Sequence, residues 1–369
     1  MPNQMTGDVV ILTGGAGFIG SAVVRYLIRE TDARVINVDK LTYAADLANV
    51  AEVEGHHRYC FERCDICRPA DVARVFATHH PTAVMHLAAE THVDRSIDNP
   101  LIFVETNVKG TAILLEAARH YWRALPQRER AGFRFHQIST DEVFGSLGAS
   151  GMFDELSPYR PNSPYAAGKA GADHLVRAWH ATYGLPVVLS NCCNNYGSFQ
   201  HPEKFIPLMI INAIEGRPLP VYGAGANMRD WLAVDDHAHA LWTILQRGRI
   251  GESYNVGAQQ EARNIDVARM ICDMVDEIAG PLPGGQPRQE LITLVEDRPG
   301  HDFRYAINAA KIAAELGWRP RTTFVEGLRR TVTWYLSNES WWKSRQAETT
   351  RRIGLGGADI PAVAPPGTA

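Results

Sequence analysis

Short apolar runs alternate with longer amphipathic stretches through the first half of the chain. The runs have the length of β-strands, and we predict strands at residues 9–13, 34–39, 83–87, 134–140 and 186–191. Apolar residues recur at helical spacing between them, which predicts helices at residues 19–30, 69–78, 107–122 and 163–183. This alternation is typical of the α/β class, with a doubly wound, Rossmann-like parallel sheet.

The alternation is interrupted after residue 191. An apolar helical segment at residues 205–215 and a turn-rich stretch at 216–230 come next. A helix at 234–248 and a strand at 253–256 then resume the pattern. The chain is therefore expected to leave the first domain, return to it and leave again.

We accordingly predict two interleaved domains. The nucleotide-binding domain comprises residues 1–192 with a return segment at about 232–258. A smaller C-terminal α/β substrate-binding lobe comprises residues 193–231 and 259–342. Residues 343–369 are predicted to form a disordered tail, because the apolar periodicity stops and the end is mostly Ala, Pro and Gly.

Charge and composition argue against several kinds of partner. The 369 residues include 37 basic and 41 acidic ones, and a formal charge of -4 offers no basic surface for nucleic acid or anionic membrane. We find no uninterrupted apolar stretch long enough to span a bilayer, and the first strand is expected almost at the start of the chain. These features indicate a cytoplasmic protein that acts on a small molecule.

The six cysteines are scattered, and we expect reduced thiols. Cys60, Cys64 and Cys67 have the C-x3-C-x2-C spacing of the cluster-binding signature of radical S-adenosylmethionine enzymes. They lie where a third strand would end, which favours buried or half-buried thiols instead. His237 and His239 could suggest a metal site, but residues two apart on a helix point to different faces, which favours capping or surface roles. We predict no metal.

A glycine-rich segment follows the first predicted strand and precedes the first predicted helix. Glycines at Gly14, Gly17 and Gly20 allow the backbone to approach a pyrophosphate at the helix N-terminus. Asp39 ends the next strand, where its carboxylate can accept hydrogen bonds from ribose hydroxyls and repel a 2′-phosphate. The neighbouring Lys40 could tolerate that phosphate, but the carboxylate favours NAD over NADP.

Two reactive groups of residues lie close together in the sequence. Tyr165 and Lys169 share one helix face, so the ammonium can lower the pKa of the phenol and make it a usable base. Asp141 and Glu142 offer a proton donor and a proton acceptor after a strand. An alcohol dehydrogenase needs only the tyrosine and the lysine, so the carboxyl pair indicates an elimination joined to redox chemistry.

From about residue 9 to 336 the chain resembles the extended short-chain dehydrogenase/reductase family, and within it the dTDP-glucose 4,6-dehydratases. The matching motifs are NVDKLTY at 37–43, HLAAETHVDRS at 86–96, NNYG at 194–197, PEK at 202–204, RDWL at 229–232 and DRPGHD at 297–302. Epimerases of similar build usually lack both acids of the pair, and glucuronate decarboxylases typically keep only the second. This chain has both.

The resemblance implies a lyase that converts dTDP-glucose to dTDP-4-keto-6-deoxyglucose and water with bound NAD recycled, in 6-deoxysugar synthesis such as that of rhamnose. Tyr165, as a phenolate held by Lys169, would take the proton of the 4-hydroxyl. Glu142 would remove the C5 proton while Asp141 protonates the leaving 6-hydroxyl. Thr140 would hydrogen-bond the 4-oxygen.

The resemblance also implies two sets of binding residues and a dimer. The cofactor set is Gly14, Gly17, Phe18, Ile19, Gly20, Asp39, Lys40, Leu41, Thr42, Asp65, Ile66, Leu87, Ala88, Ala89, Thr106, Tyr165, Lys169 and Asn195. The substrate set is Glu90, Thr140, Asn194, Lys204, Phe205, Pro220, Tyr222, Arg229, Asn264, Arg298 and His301. Family members are typically homodimers joined by a four-helix bundle, for which the helices at 107–122 and 163–183 would serve.

Alternatives stay open at this point. A dehydratase of another nucleotide sugar, such as UDP-glucose, would use the same residues, and an epimerase or a non-catalytic NAD-binding regulator could share the fold. Phe144 stands where the family commonly has tyrosine, which puts a hydrogen bond near the acid pair in doubt. The C-terminal segment also departs from the family pattern, which leaves the preference for thymine over uracil less secure.

Overall fold

The strands of the computed structural model, which describes residues 7–297 and 300–346, supply one large sheet and two small ones. Their bounds are β1 Val9–Thr13, β2 Arg34–Asp39, β3 Tyr59–Arg63, β4 Ala83–His86, β5 Arg134–Thr140, β6 Val187–Cys192, β7 Asn194–Tyr196, β8 Leu219–Tyr222, β9 Met228–Ala233, β10 Ser253–Val256, β11 Glu261–Arg263 and β12 Ile292–Val295. The large sheet is parallel and seven-stranded, in the order β3-β2-β1-β4-β5-β6-β10. The strand order reverses between β1 and β4, where doubly wound sheets open a ligand crevice.

Helices connect the strands and cover the large sheet. Their bounds are α1 Phe18–Glu30, α2 Pro69–His79, α3 Val93–Asp98, α4 Pro100–Phe103, α5 Thr111–Ala124, α6 Gln127–Gly132, α7 Pro164–Tyr183, α8 Phe205–Glu215, α9 Val234–Arg247, α10 Asn264–Ala279, α11 Ala310–Leu316, α12 Phe324–Ser337 and α13 Glu339–Gln346. Short 3₁₀ segments occur at Leu47–Val53, Asp141–Phe144 and Arg288–Leu291, and Val104–Gly110 is π-helical.

The central strands are buried because helices pack on both faces of the sheet. α1 and α9 pack on one face, and α2, α5 and α7 pack on the other. β1 reads VVILT and β2 reads RVINVD, nearly continuous apolar runs of the kind that a parallel sheet covered on both sides requires. The predicted Rossmann-like α/β fold is confirmed.

Two elements differ from their predictions. β3 lies where the sequence placed the end of a third strand, but no bounds were predicted for it, because Tyr59–Arg63 alternates aromatic, thiol and charged side chains that are only partly buried at the sheet edge. The helix expected at 107–122 is α-helical only from Thr111, since the preceding Val104–Gly110 turns are π-helical, and it ends at Ala124. π-Helical turns are frequent at functional sites.

The smaller lobe packs around α8, α10 and α12. Its core contains large rings, among them Tyr196, Trp231 and Phe324. β11, β9 and β7 form a three-stranded sheet, and β12 pairs with β8. Between these elements the segment 232–258 contributes α9 and β10 to the first domain, with β10 beside β6. The chain thus passes between the two parts more than once.

The predicted tail overlaps a helix at its beginning. α13 extends to Gln346, so residues 343–346 are helical rather than disordered, and residues 347–369 lie outside the described residues. Trp342 anchors α13, because its ring is fully buried and its indole N–H donates to the Tyr335 carbonyl at 2.8 Å. In the part of the chain that the structure describes, we find no helix with the length and apolar character needed to cross a membrane.

Candidate active site

A cavity of ≈ 290 Å³ opens at the carboxyl edge of the large sheet, across the point where the strand order reverses. Most of the predicted cofactor residues line it: Gly14, Gly17, Phe18, Ile19, Gly20, Asp39, Lys40, Thr42, Ile66, Leu87, Ala88, Ala89, Thr106, Tyr165, Lys169 and Asn195. Two predicted cofactor residues do not line this cavity. Leu41 borders a neighbouring cavity and donates its backbone N–H to Asp39, and Asp65 accepts from the backbone N–H of Cys67.

The glycine-rich turn brings two backbones together. Gly14 has φ 76°, and a Cβ added there would lie 2.7 Å from the backbone N of Ala88. A Cβ added at Gly20 would collide with the Gly14 carbonyl. Gly17 begins α1 without a side-chain cap, so the first amides of the helix can receive an anion. This cradle fits a pyrophosphate.

Asp39 lies at the end of β2, beside this turn. Its carboxylate accepts the backbone N–H groups of Ala16 at 3.1 Å and Leu41 at 2.8 Å. Burial raises the pKa of Asp39, and these hydrogen bonds and Lys40 oppose the rise. The Lys40 ammonium lies 3.9 Å from the Asp65 carboxylate, which offsets its charge. A carboxylate at this position fits the ribose of NAD better than a 2′-phosphate.

The predicted catalytic residues meet at the inner end of the cavity, where β5 ends and α7 begins. Thr140, Asp141, Glu142, Tyr165 and Lys169 all line it. β5 delivers Thr140 at its last position, and the 3₁₀ turn Asp141–Phe144 follows immediately. The Thr140 hydroxyl accepts the backbone N–H of Glu142 at 3.3 Å, which caps this turn and orients the acid pair.

The structure does not show the expected lowering of the Tyr165 pKa by Lys169. Burial, followed by the charges of Glu142 and Cys192, raises the pKa of Tyr165 well above its usual range, although a hydrogen bond with Thr140 favours the phenolate. Lys169 donates instead to the Ile138 carbonyl at 2.7 Å, and burial lowers the pKa of Lys169. Sequence spacing placed both side chains on one helix face but could not show where the ammonium is bonded.

The two acids of the pair have different environments. Asp141 is 1% exposed, and burial followed by the charges of Glu142 and Asp230 raises the pKa of Asp141 well above its usual range. Its Oδ2 has no hydrogen-bond partner among the described residues. A buried, protonated carboxyl with an unused oxygen is suited to donate a proton. Glu142 is half-buried and borders a second cavity as well as the first.

The second cavity, of ≈ 330 Å³, lies between the large sheet and the smaller lobe. It is lined by eight of the predicted substrate residues: Asn194, Lys204, Phe205, Pro220, Tyr222, Arg229, Asn264 and His301. Glu90 and Thr140, also predicted to bind substrate, line the first cavity only. Arg298 lies outside the described residues. The two cavities share Thr91, Glu142, Asn194, Asn195, Gln200 and Lys204, so they meet beside the acid pair.

Cations and rings give the second cavity its character. Lys204 donates to the Thr91 carbonyl at 2.9 Å, and Arg229 lies with its guanidinium 4.4 Å from the Tyr305 ring centre. Phe205 stacks on Trp231, with ring centres 6.3 Å apart. Two positive side chains and a stacked ring pair are the chemistry that a diphosphate and a flat base require.

Buried acceptors without partners mark both cavities. In the described part of the chain, the side-chain oxygens of Asn194, Asn195 and Asn264 have no hydrogen-bond partner although each is buried. A buried amide oxygen without a partner costs free energy in the protein alone. These acceptors therefore favour a ligand with hydroxyl or amide donors, such as a sugar and a nicotinamide.

Some lining residues were not predicted. Cys192, Cys193 and Gln200 line the first cavity, and Arg95 and Tyr305 line the second. The position of the cysteines directly at the end of β6 was a usable signal, because ligands bind at the carboxyl ends of parallel strands. Tyr305 follows an irregular segment, and no motif in the sequence singled it out.

Phe144 has an apolar setting that offsets the missing hydroxyl. Its ring is 2% exposed and contacts Phe153 and Tyr159, each with ring centres 5.2 Å apart. The Tyr159 hydroxyl accepts from the amide of Asn191 at 3.4 Å, and that same amide donates to the Thr140 carbonyl at 3.1 Å. Tyr159 thus supplies a hydroxyl close to the catalytic turn.

The histidine and cysteine alternatives have structural explanations. His237 is fully buried, which corrects the predicted capping or surface role, and burial lowers its pKa to about 3. Cys64 is buried, and Cys60 and Cys67 are half-buried. In residues 7–297 and 300–346, the one set of three close ligand atoms joins Cys60 to Glu62 and His79 rather than to the other cysteines.

Known proteins are similar to this chain over most of its length. The family model described as GDP-mannose 4,6 dehydratase matches residues 11–331. A dTDP-glucose 4,6-dehydratase of Neisseria meningitidis serogroup B is 57% identical over 351 residues, which are 94% of this chain and 99% of the relative. The chain belongs to the dTDP-glucose 4,6-dehydratase family. The resemblance inferred from its motifs is confirmed.

Solved structures within this family are similar throughout. A dTDP-glucose 4,6-dehydratase from Streptomyces venezuelae, with NAD bound, has a TM-score of 0.83 and 43% identity, and the match covers 91% of this chain and 99% of that one. The enzyme from Bacillus anthracis, in complex with NAD, has a TM-score of 0.81 and 41% identity, with 92% and 99% covered. Both matches extend across the large sheet and the smaller lobe.

Proposed function

We propose that this protein is an NAD-dependent dTDP-glucose 4,6-dehydratase, a hydro-lyase that forms dTDP-4-keto-6-deoxyglucose and water. The observation that carries the proposal is the place of the acid pair. Asp141 and Glu142 stand where the two cavities meet, beside Tyr165 and Lys169. A sugar at this junction can exchange hydride with a cofactor in one cavity while its nucleotide lies in the other.

NAD fits the first cavity through the glycine cradle, the Asp39 carboxylate and the unpartnered Asn195 oxygen. When bound, it supplies a hydride acceptor with a positively charged ring, and it returns the hydride at the end of the cycle. Lys169 lines the same inner end of the cavity as Tyr165 and brings a positive charge there. The first proton step is removal of the 4-hydroxyl proton by Tyr165 as C4 is oxidised to a ketone.

The carboxyl pair then performs the elimination. The 4-keto group acidifies the C5 proton, which Glu142 removes, while the buried Asp141 gives its proton to the 6-hydroxyl, which leaves as water. The resulting double bond between C5 and C6 is reduced by hydride at C6 and a proton at C5. Hydride gained and lost balances, so the net reaction is loss of water.

The nucleotide is the finer part of the proposal. Lys204 and Arg229 are placed to pair with the diphosphate, and Phe205, Tyr222 and Asn264 to contact the base or sugar. We propose thymine as the base. Relative rates with dTDP-glucose and UDP-glucose test this choice, and a faster reaction with UDP-glucose would overturn it.

A homodimer is also proposed, joined through α5 and α7. The segment that leads into α5 exposes apolar side chains at Leu101, Ile102 and Val104, which a second copy would cover. Sedimentation should show twice the 40.8 kDa chain mass. A monomer at micromolar concentration would contradict this packing.

The cellular setting follows from the proposed chemistry. The six cysteines are free thiols, which supports a cytoplasmic location.

A 4-keto-6-deoxy product needs a further epimerisation or reduction, and we propose that it feeds 6-deoxysugar synthesis, such as that of rhamnose.

The reaction is tested by incubating the purified protein with dTDP-glucose in heavy water. The account expects a product that has lost one water and gained one deuterium at C5, with no net change in cofactor. A galactose-configured product of unchanged mass would identify an epimerase. Unchanged dTDP-glucose in the presence of NAD would contradict the proposed function.

A further inference from the structure

Lys169 and Asp173 lie one turn apart on α7, and both side chains point under the end of β5. Lys169 donates to the carbonyl of Ile138 at 2.7 Å. Asp173 accepts from the hydroxyl of Ser139, the next residue of the strand, at 2.6 Å. Lys169 is 5% exposed and Asp173 is fully buried. The buried ammonium of Lys169 and the buried carboxylate of Asp173 thus hydrogen-bond to two adjacent residues of β5.

Asp173 is bonded on several sides. Its Oδ2 also accepts from the Tyr159 hydroxyl at 3.0 Å, and its Oδ1 accepts from the Gln137 amide at 3.4 Å. Burial raises the pKa of Asp173, whereas Lys169, the Ser139 hydroxyl and the charge of Arg177 oppose that rise. Donors on every side are the arrangement that favours a charged carboxylate in a buried position.

The titratable groups whose charges or hydrogen bonds act on this pair are Cys192 on β6, His86 on β4, Arg177 on α7 and Tyr159 before it. Tyr165 lies one turn before Lys169 on the same helix face. Burial raises the pKa of Cys192 to about 12 and lowers that of His86 to about 3, so both stay neutral at ordinary pH. His174 lies against Tyr159, with ring centres 5.4 Å apart. Asp173 is the acidic group among them that can balance the charge of Lys169.

We propose that Asp173 is a positioning residue that keeps Lys169 protonated for the oxidation step. This inference rests on the proposed function for its catalytic consequence, but the charge of Lys169 can be measured without any reaction. An ammonium buried without a counter-charge loses its proton at lower pH. A neutral Lys169 would no longer bring a positive charge to the inner end of the cavity, where Tyr165 takes up the substrate proton.

The test compares Asp173→Asn with the unsubstituted protein. Asparagine keeps the size and hydrogen-bonding oxygen of the side chain while removing its charge. The pKa of Lys169 is followed by NMR of protein with carbon-13-labelled lysine, and its resonance is identified by its loss in a Lys169→Met variant. We expect the Asp173→Asn variant to lower that pKa by about one unit or more. An unchanged Lys169 pKa in the folded variant would overturn the proposal.

The kinetic test measures single-turnover oxidation of dTDP-glucose across pH, from the absorbance of reduced nicotinamide. In Asp173→Asn, we expect the alkaline limb of the pH profile to move to lower pH by as much as the pKa of Lys169 falls. In Asp173→Glu, which keeps the charge, the limb should lie closer to that of the unsubstituted protein. A uniform fall in rate with an unmoved limb would reduce Asp173 to a packing residue. If no nucleotide sugar is oxidised at all, the proposed function fails, while the lysine titration still decides the role of Asp173.

Two further variants serve as a graded perturbation of Asp173 and as a control for the loss of a buried carboxylate elsewhere. Ser139→Ala removes one hydrogen bond to Asp173 and should move the limb in the same direction by a smaller amount. Asp8→Asn removes another buried carboxylate, which accepts from Thr82 and Gln246 at the opposite end of β1. The Asp8→Asn variant should leave the pH profile and the Lys169 pKa unchanged.

Discussion

The two cavities that meet at Glu142 are lined by different kinds of group. The cofactor cavity is formed by strand ends and glycines that lie close together in the sheet, and its key contact is between two backbones, Gly14 and Ala88. The substrate cavity is formed by side chains from distant segments, such as Arg95, Lys204 and Arg229. One site is fixed by the fold itself, and the other depends on how the smaller lobe presents charged groups.

Side-chain contacts of Tyr43 connect the two cavities. Tyr43, in the loop after β2, donates to Glu203 at 3.0 Å, and the Arg95 guanidinium lies 3.5 Å from the Tyr43 ring centre. The loop of Tyr43 borders the cofactor cavity, whereas Glu203 and Arg95 border the substrate cavity. The substrate cavity is thus tied to the cofactor cavity by side chains, and variants in each should have separable effects.

The largest expected effect is at the junction itself. Tyr165→Phe removes the group that takes the 4-hydroxyl proton, so oxidation should fall by about 10³-fold. Reduced nicotinamide should form correspondingly more slowly, although both cavities remain intact. The absorbance of reduced cofactor after mixing with dTDP-glucose checks this. Tyr26→Phe, on α1 and away from both cavities, should keep the normal rate, and an active Tyr165→Phe variant would contradict the assigned base.

The next largest effect is confined to the cofactor cavity. Gly14→Ala forces a side chain into a left-handed position, which costs about 1–2 kcal/mol, and into contact with the Ala88 backbone. NAD affinity should fall by more than about tenfold, whereas dTDP affinity stays near normal. Calorimetry with each ligand separates the two. Gly148→Ala is the matched control, because a Cβ there meets no atom within 4 Å.

A smaller effect is expected for ligand binding in the substrate cavity. Lys204→Ala removes a cation beside the proposed diphosphate site, and dTDP affinity should fall by about tenfold with little change in NAD affinity. The effect should diminish at high salt. Lys343→Ala, which removes an exposed cation paired with Glu339, provides the comparison. Equal losses for both ligands would show that the cavities are not separable in this way.

The smallest effect concerns stability. The folded-state pKa of Asp141 lies above its unfolded value, so the unfolded chain loses this proton first and the free energy of unfolding falls as pH rises between the two values. Asp141→Asn should therefore stabilise the protein by about 1 kcal/mol or more near neutral pH and by little in acid. Thermal unfolding at both pH values checks this. Asp32→Asn, at an exposed position, is the control and should change the unfolding temperature little.

The same contrast explains what could be predicted from the sequence. Val9–Thr13 and Arg34–Asp39 were predictable because parallel strands covered on both faces are continuous apolar runs. The half-buried edge strand Tyr59–Arg63 lacks that pattern, so the sequence indicated where a third strand ends but not its bounds. The place of Gly14 and Asp39 in the lining of the first cavity was predictable because one turn and one strand end determine it.

The electrostatics of the site could not be read from spacing. Tyr165 and Lys169 were correctly placed on one helix face, but the bond from Lys169 to the Ile138 carbonyl and the burial of the phenol depend on tertiary packing. Tyr305 reaches the substrate cavity from a segment without regular structure. Such residues become visible only when the lobe is folded against the sheet.

The central claim is that the acid pair adds elimination to a redox site, and Glu142→Gln tests it most directly. The variant and the unsubstituted protein are mixed with dTDP-glucose in heavy water, and both reduced nicotinamide and product mass are followed. The account predicts that oxidation persists, reduced cofactor accumulates and water loss slows by about 10²-fold or more. Normal dehydration with deuterium at C5 in Glu142→Gln would contradict the account.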